Sequence, residues 1–187
     1  MAQPKAFPPV KLFCGVIFGK DSLYGRAKSL LGEAYGPLDL ESPAFDFDLT
    51  DYYEKEMGPG LKRRFMSFVR LMGPEKLARI KIETNALEDR IRTEAGTGGR
   101  AVNIDPGYLT ASALVMATAK NFSHRIPLAF GIYAHLELLF TKTEARFLDW
   151  TYPDFRQEGS KQFFLGVRRA YLAQLKDLAA RGRGAAG

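Results

Sequence analysis

The stretch VKLFCGVIFGKDSLYGRAKSLLGEAYGP, residues 10–37, sets two different periodicities side by side. Val10 to Phe18 is a continuous apolar run bounded by Pro9 and Gly19, the pattern of a central strand buried on both faces. Asp21 or Ser22 can cap a helix in which Leu23, Ala27, Leu30, Leu31 and Ala34 recur at i, i+4, i+7 and i+8, and Gly36-Pro37 ends it. A buried strand feeding a helix with one apolar face predicts a layered α+β arrangement.

Outward from there, Phe45, Phe47 and Leu49 alternate with Asp46, Asp48 and Thr50, which predicts a strand with one wet face. Lys62 to Met72 reads as its antiparallel partner, because the first segment is acidic and the second opens with Lys62, Arg63 and Arg64. Pro74 suits the first turn of a helix whose face is marked by Leu77, Ile80, Thr84, Leu87 and Ile91 and which breaks at Gly96. Arg100 to Ile104 adds a short strand. The order strand, helix, strand, strand, helix, strand is the ferredoxin-like βαββαβ pattern. In the second half, Thr110 to Ala119 is Ala-rich and predicts an added helix. Arg125–Leu128 and Ile132–Phe140 predict a β-hairpin turning near Phe130-Gly131, and Arg146–Trp150 a further strand. Ser160 can cap a C-terminal helix carrying Phe164, Val167, Tyr171, Leu175 and Leu178 on one side.

A chain of 187 residues fits one domain, residues 1–187, with an ordered core of about 9–180 and flexible tails at 1–8 and 181–187. An apolar fraction of 46% with 26% charged residues suits a globular chain and argues against disorder or a fibre. Cys14 is the only cysteine, so there is no internal disulfide, and any metal would rest on His, Asp and Glu. That usage fits a reducing, cytoplasmic location. The N-terminus lacks the apolar run of a signal peptide, and no window approaches the roughly 20 apolar residues of a membrane helix. The net charge of +6 suits phosphate or RNA as a partner, although Arg181 and Arg183 in the tail supply part of it. No DNA-specific motif occurs, and no cofactor is implied.

Polar groups, glycine and special backbone residues crowd between Asn103 and Glu137, which places the candidate site there. In NIDPGYLT, Asp105, Pro106, Gly107 and Tyr108 predict a turn that aims polar groups into a cleft. In KNFSHRI, Lys120 and Arg125 can hold phosphate, and His124 can carry a proton near neutral pH. The leading expectation is a cleft for a phosphate-bearing ligand, a nucleotide or RNA. Lys120 and Arg125 grip the phosphate, His124 transfers a proton, Asp105 orients one of them, and Asn103, Tyr108 and Glu137 complete the lining. The residues do not decide between binding and processing.

Two rivals stand beside this expectation. One is a non-enzymatic adaptor that binds another protein through Tyr52, Tyr53, Trp150 and Tyr152, aromatic residues in presumed loops. The other is a metal-dependent hydrolase using His124, His135 and Glu137, or the Asp46/Asp48 pair, which reads more simply as a charge-paired surface. GVIFGKDS resembles a phosphate loop, but it is one residue short and Asp21 replaces the hydroxyl that would hold Mg²⁺, so it reads as a plain strand-to-helix turn. Neither paired His-x-Ser/Thr elements nor a GxSxG elbow occurs.

The blocks FDLTDYYEKEMG, NIDPGYLT, ATAKNFSHRI, GIYAHLEL and WTYPDF, in that order, resemble a bacterial family catalogued as a domain of unknown function, DUF4416. The resemblance runs from about Val10 to about Leu178 and implies a bacterial cytoplasmic protein. Members are sometimes labelled GTP-binding, yet no second guanine-recognition element accompanies GVIFGKDS here. His135 stands where the family often carries an acidic residue, which argues against a two-histidine metal site.

Overall fold

A computed structural model of the chain describes residues 3–48, 50 and 52–184. Val10–Phe18 forms β1, buried along its whole length, and Asp21–Tyr35 forms α1. Leu38–Glu41 (β2), Phe45–Asp46 (β3) and the short helix Glu54–Met57 (α2) precede the long strand Lys62–Met72 (β4). A 3-10 turn at Pro74–Lys76 runs into Leu77–Ala95 (α3), which stops where Gly96 turns left-handed at φ 62°. Then come Val102–Leu109 (β5), Ala113–Thr118 (β6), Ile126–Pro127 (β7), Tyr133–Phe140 (β8) and Ala145–Phe147 (β9). A second 3-10 turn at Pro153–Arg156 leads into Glu158–Gly184 (α4).

The described residues thus build an α+β fold with four α-helices and one nine-stranded sheet. The sheet order is β2-β4-β1-β5-β6-β8-β7, with β3 also on β4 and β9 also on β8, and every pairing is antiparallel. Alternation along β1 divides its side chains between two layers. Leu12, Cys14, Val16 and Phe18 pack against α1 and α3 through Leu30, Leu31, Ile80 and Ile91. Phe13 joins Phe65 on the opposite face, under Phe155, Phe164, Val167 and Tyr171 from the chain around α4. Burial on both faces is why this strand reads as an unbroken apolar run. Lys11 is the exception. Its fully buried ammonium bonds Asp39 and donates to Gln174 Oε1 of α4 at 2.8 Å, while Ser67 Oγ donates to Asp39 at 2.6 Å. This polar knot ties β2 and α4 to the middle of the sheet.

Several boundaries differ from the sequence reading. Residues 110–119 are not a helix. Thr110 closes a tight turn by accepting from the backbone N–H of Ala113 at 2.9 Å, and β6 follows with Leu114 and Met116 buried beside Leu138. Alanine's helix preference is worth at most ~0.7 kcal/mol per residue, and strand pairing on both sides outweighs it. The strand expected over 45–49 shrinks to the two residues of β3, with β2 a separate strand before Ser42-Pro43-Ala44, and Leu49 lies outside the described residues. The short strand expected at 100–104 runs to Leu109 and absorbs Asp105-Pro106-Gly107, which therefore make no turn. The strand expected over 146–150 ends at Phe147. Ser160 is not the cap: α4 starts at Glu158, and Ser160 Oγ donates to Asp154 O at 2.7 Å. The β7–β8 hairpin does turn at Phe130 and Gly131, with φ of 57° and 73°. Of the tails expected to be flexible, 181–184 continue α4, while residues 1–2 and 185–187 lie outside the described residues. Among the described residues no helix is long and apolar enough to cross a membrane.

Candidate functional site

Between β5 and β6 the sheet splits. The two strands pair only at Gly107↔Met116, Tyr108↔Val115 and Leu109↔Leu114. Alternate residues of a strand send both backbone polar groups to the same side, so Ile104 and Pro106 both face β6. Pro106 has no N–H to give, and pairing stops there. Beyond the fork β6 stays with β8 (Ala117↔Ala134, Thr118↔Tyr133), and a cavity of about 870 Å³ opens beside β5. Gly107 lets the strands meet at the fork, since a Cβ there would lie 2.5 Å from Val115 O and 2.6 Å from Phe13 Cζ.

The split leaves the Ile104 backbone without a strand partner, and α3 supplies one. Glu88 Oε1 accepts from Ile104 N at 2.6 Å, and Lys81 Nζ donates to Ile104 O at 2.7 Å. Lys81 and Glu88, two turns apart, are buried on the face of α3 that also carries Leu77, Thr84 and Ile91. Their side chains replace a strand's hydrogen bonds, so the open edge carries no backbone penalty. Lys81 also lies 3.5 Å from Asp105 Oδ1 and 3.9 Å from Glu88 Oε1. Burial pushes the Glu88 carboxyl up to about 7, against the opposing pull of Lys81 and of the Ile104 N–H.

A pH dependence follows. The folded state holds a proton on Glu88 that the unfolded chain releases near its ordinary value of 4.5. This group's contribution is therefore full below pH 4.5 and is lost as pH rises to about 7. Relative to Glu88→Gln, which keeps an acceptor for Ile104 N, the wild type should lose on the order of 3 kcal/mol across that window. Urea unfolding at stepped pH checks this; parallel curves for the two proteins would contradict it.

Arg63 forms the floor. It is 4% exposed, lies within cation–π distance of Phe47, Phe65 and Phe155, and reaches Asp105 Oδ2 and Asp154 Oδ2, each at 3.2 Å. To arrive there it crosses β1 at Gly15, where a Cβ would stand 2.5 Å from Arg63 Nη2. Burial raises the Asp105 carboxyl, but Lys81 and Arg63 outweigh it and hold it below the usual range. Asn103 Nδ2 donates to the same carboxylate at 2.7 Å. Asp154, for which burial prevails over Arg63, is held above the usual range. Asp105 is thus an anion in a fixed cationic setting.

Tyrosines line the walls. Tyr52 packs edge-on against Tyr53 at 4.9 Å, and Tyr152 closes the far side. Burial, with the Asp105 charge adding, keeps the Tyr53 phenol protonated. Cations line the cavity as well: Lys120 Nζ lies 3.6 Å from the Tyr52 ring centre, the Arg100 guanidinium carbon lies 5.9 Å from the Tyr53 ring centre, and Arg92 joins the lining. Arg100 donates to Asn103 Oδ1 at 2.6 Å and pairs with Glu56 at 3.3 Å. His135, 2% exposed, lines the inner wall with Nε2 3.0 Å from Glu137 Oε2. The geometry of that approach is poor, and both ring nitrogens lack a hydrogen-bond partner among the described residues.

Of the residues singled out in the sequence, Asn103, Asp105 and Lys120 meet in this one cavity. Glu137 lies buried behind it, accepting from Tyr152 N. Arg125 does not line it: its guanidinium donates to Lys120 O at 2.8 Å and to Tyr152 Oη at 2.9 Å, bracing both. His124 lies one ring layer outside, stacked on Trp150, and burial together with His135 and Arg125 holds its pKa below the ordinary value. Tyr108 does not line the cavity and packs instead with Leu77, Ala78 and Ala117. Gly19, Lys20 and Asp21 of the phosphate-loop look-alike do not line it either; Lys20 is the residue before α1. Among the described residues no three His, Cys, Asp or Glu side chains gather as a metal ion requires, and Asp46 and Asp48 are exposed.

Sequence reasoning missed Arg63, Lys81 and Glu88. The signal for the last two was present, because a charge at every second position of the stripe Leu77, Lys81, Thr84, Glu88, Ile91 interrupts an otherwise buried helix face. For Arg63 the signal was Gly15, visible only once β1 and β4 are paired through Gly15↔Phe65 and Ile17↔Arg63. Residues 8–171 of the 187 match a family model described as Domain of unknown function (DUF4416). No curated protein and no solved structure matches the chain.

Proposed function

This chain belongs to the DUF4416 family, and we propose that its β5–β6 cleft binds a phosphate-bearing ligand, a nucleotide or a segment of RNA. The carrying observation is the pairing of stacking rings with cations: the Lys120 ammonium lies 3.6 Å from the ring centre of Tyr52, in the lining of a tyrosine-walled cavity. A volume of about 870 Å³ falls within the ~300–1,000 Å³ of small-molecule sites. Tyr52, Tyr53 and Tyr152 offer ring faces and edges to a base, and Lys120, Arg92 and Arg100 offer charge to phosphate. The unpartnered nitrogens of His135 offer a hydrogen bond deeper in. In this reading Arg125 is a positioning residue that fixes Lys120 and Tyr152 rather than a phosphate ligand, and Asp105 sets the charge of the floor.

Calorimetric titration with the nucleoside 5′-mono- and triphosphates and a short random RNA tests the proposal. Lys120→Ala and Tyr52→Ala should each weaken binding about tenfold, as loss of one charge contact or one stacking ring does. Absence of binding by every ligand, or unchanged binding by both variants, refutes it. A specific observation also favours an adaptor, through residues other than the Tyr52, Tyr53, Trp150 and Tyr152 expected from the sequence: Ile126, Leu128 and Phe130 expose 65%, 46% and 73% of their surface on the β7–β8 hairpin. Ile126→Ser with Phe130→Ser should abolish partner capture if that reading holds and leave nucleotide affinity untouched if the cleft is the site. We read the first half of the chain as ferredoxin-like, on the support of the β1-α1-β2-β4-α3-β5 chain order laid out as β2-β4-β1-β5.

A further inference from the structure

Next to the cleft lies a second, shallower hollow lined by Phe122, Ser123, His124, Asp149 and Trp150. Its rings are set in a fixed stack. His124 lies flat on Trp150, with centroids 4.8 Å apart and planes 8° apart, and the Trp150 indole N–H donates to Leu136 O at 2.7 Å. Phe122, 63% exposed, leans against His124 at 5.3 Å. This phenyl adds little to the core and spends its apolar face on solvent. On the inner side His124 meets His135 edge-on at 5.5 Å, and His135 lines the cleft. Two rings in contact, His135 and His124, therefore divide the two hollows. Arg125, the residue after His124, bonds Lys120 O and Tyr152 Oη. Lys120, in the lining of the cleft, begins the loop that ends in the shelf.

We infer that cleft and shelf together take two neighbouring nucleotides of a single-stranded oligonucleotide, one base between the tyrosines and the next on Phe122, with Lys120 at the phosphate joining them. The inference rests on the phosphate-ligand reading of the cleft and narrows it from a free nucleotide to a strand. Bases spaced ~3.4 Å apart in a stack can be unstacked to admit protein rings between them, and exposed rings beside cations are what unstacked bases bind. The low pKa of His124 keeps its ring neutral at pH 7, suited to stacking, and Asp149 can accept from a base amino group. A net charge of +6 favours a polyanion over a lone nucleotide.

The test compares a random-sequence ribohexamer pool, its deoxy counterpart and the four ribonucleoside 5′-monophosphates, on wild type and on Phe122→Ala. Trp150 is the only tryptophan, so its fluorescence reports shelf occupancy directly. At least one hexamer pool should bind ten or more times more tightly than the best mononucleotide and quench Trp150, whereas mononucleotides leave it bright. Phe122→Ala, a change at an exposed ring, should bring the hexamer down to the mononucleotide value and leave mononucleotide affinity alone. The ribose and deoxyribose arms tell RNA from DNA. If mononucleotides bind but neither pool gains tenfold, or if Phe122→Ala keeps the gain, the shelf inference falls and the cleft reading stands. If mononucleotides and pools both fail to bind, the cleft reading falls with it.

Discussion

Arg63→Ala is expected to cost on the order of 3–5 kcal/mol of stability, the range for breaking a buried charge cluster from one side. The guanidinium is 4% exposed, and its two partners, Asp105 and Asp154, sit on different elements, β5 and the 3-10 turn before α4. With Arg63 gone, Asp154 has no other ion-pair partner among the described residues, and Asp105 keeps only Lys81. The three phenyl rings around the guanidinium would then border a void as well. Arg63→Lys keeps the charge but loses the fork that spans both carboxylates, so an intermediate loss is expected. Urea unfolding at pH 7 gives the number. A loss below about 1 kcal/mol would mean that the cluster is a solvated surface pair after all.

Lys81→Met should be nearly as damaging, roughly 3 kcal/mol, and its signature is different. Methionine keeps the length of the buried stem but removes the donor to Ile104 O and the cation beside Glu88 and Asp105. Lys81 is the largest influence holding the Glu88 carboxyl down against burial, so Glu88 should stay protonated to a higher pH than about 7 in the variant. A carbon-13 carboxyl titration reads that shift directly, and an unmoved Glu88 midpoint would show that Lys81 is not its electrostatic partner. Loss of stability without loss of nucleotide affinity would confine Lys81 to scaffolding.

How much of this could be read beforehand depends on whether the deciding partner is near in sequence. β1 and α1 were legible because a full run of apolar residues and a clean helical stripe each state their own environment. The hairpin at Phe130-Gly131 was legible from its local turn chemistry, and so was the common face of His135 and Glu137, two residues apart on one strand. β6 was not, because its alanines carry a local helix preference that only pairing with β5 and β8 overrides. That misreading hid the cleft, since Pro106 marks a fork only if a strand lies beside it. Arg63 hid for a similar reason: in Lys62-Arg63-Arg64 the alternation puts one cation inside, and only its neighbours across the sheet say which. Lys120, Asn103 and Asp105 were placed in one site by composition alone, whereas His124, Arg125 and Tyr108 depended on loop and strand directions that the sequence does not state.

Whether the fork between β5 and β6 is a binding site is decided by crystals grown with the tightest-binding nucleotide. A base should lie against Tyr52 or Tyr53 and a phosphate within ~3 Å of Lys120 Nζ, with the Arg63–Asp105–Lys81 floor unmoved. Density for the nucleotide at the start of α1 beside Gly19 and Lys20, or on the β7–β8 hairpin, with nothing between the tyrosines, would contradict it.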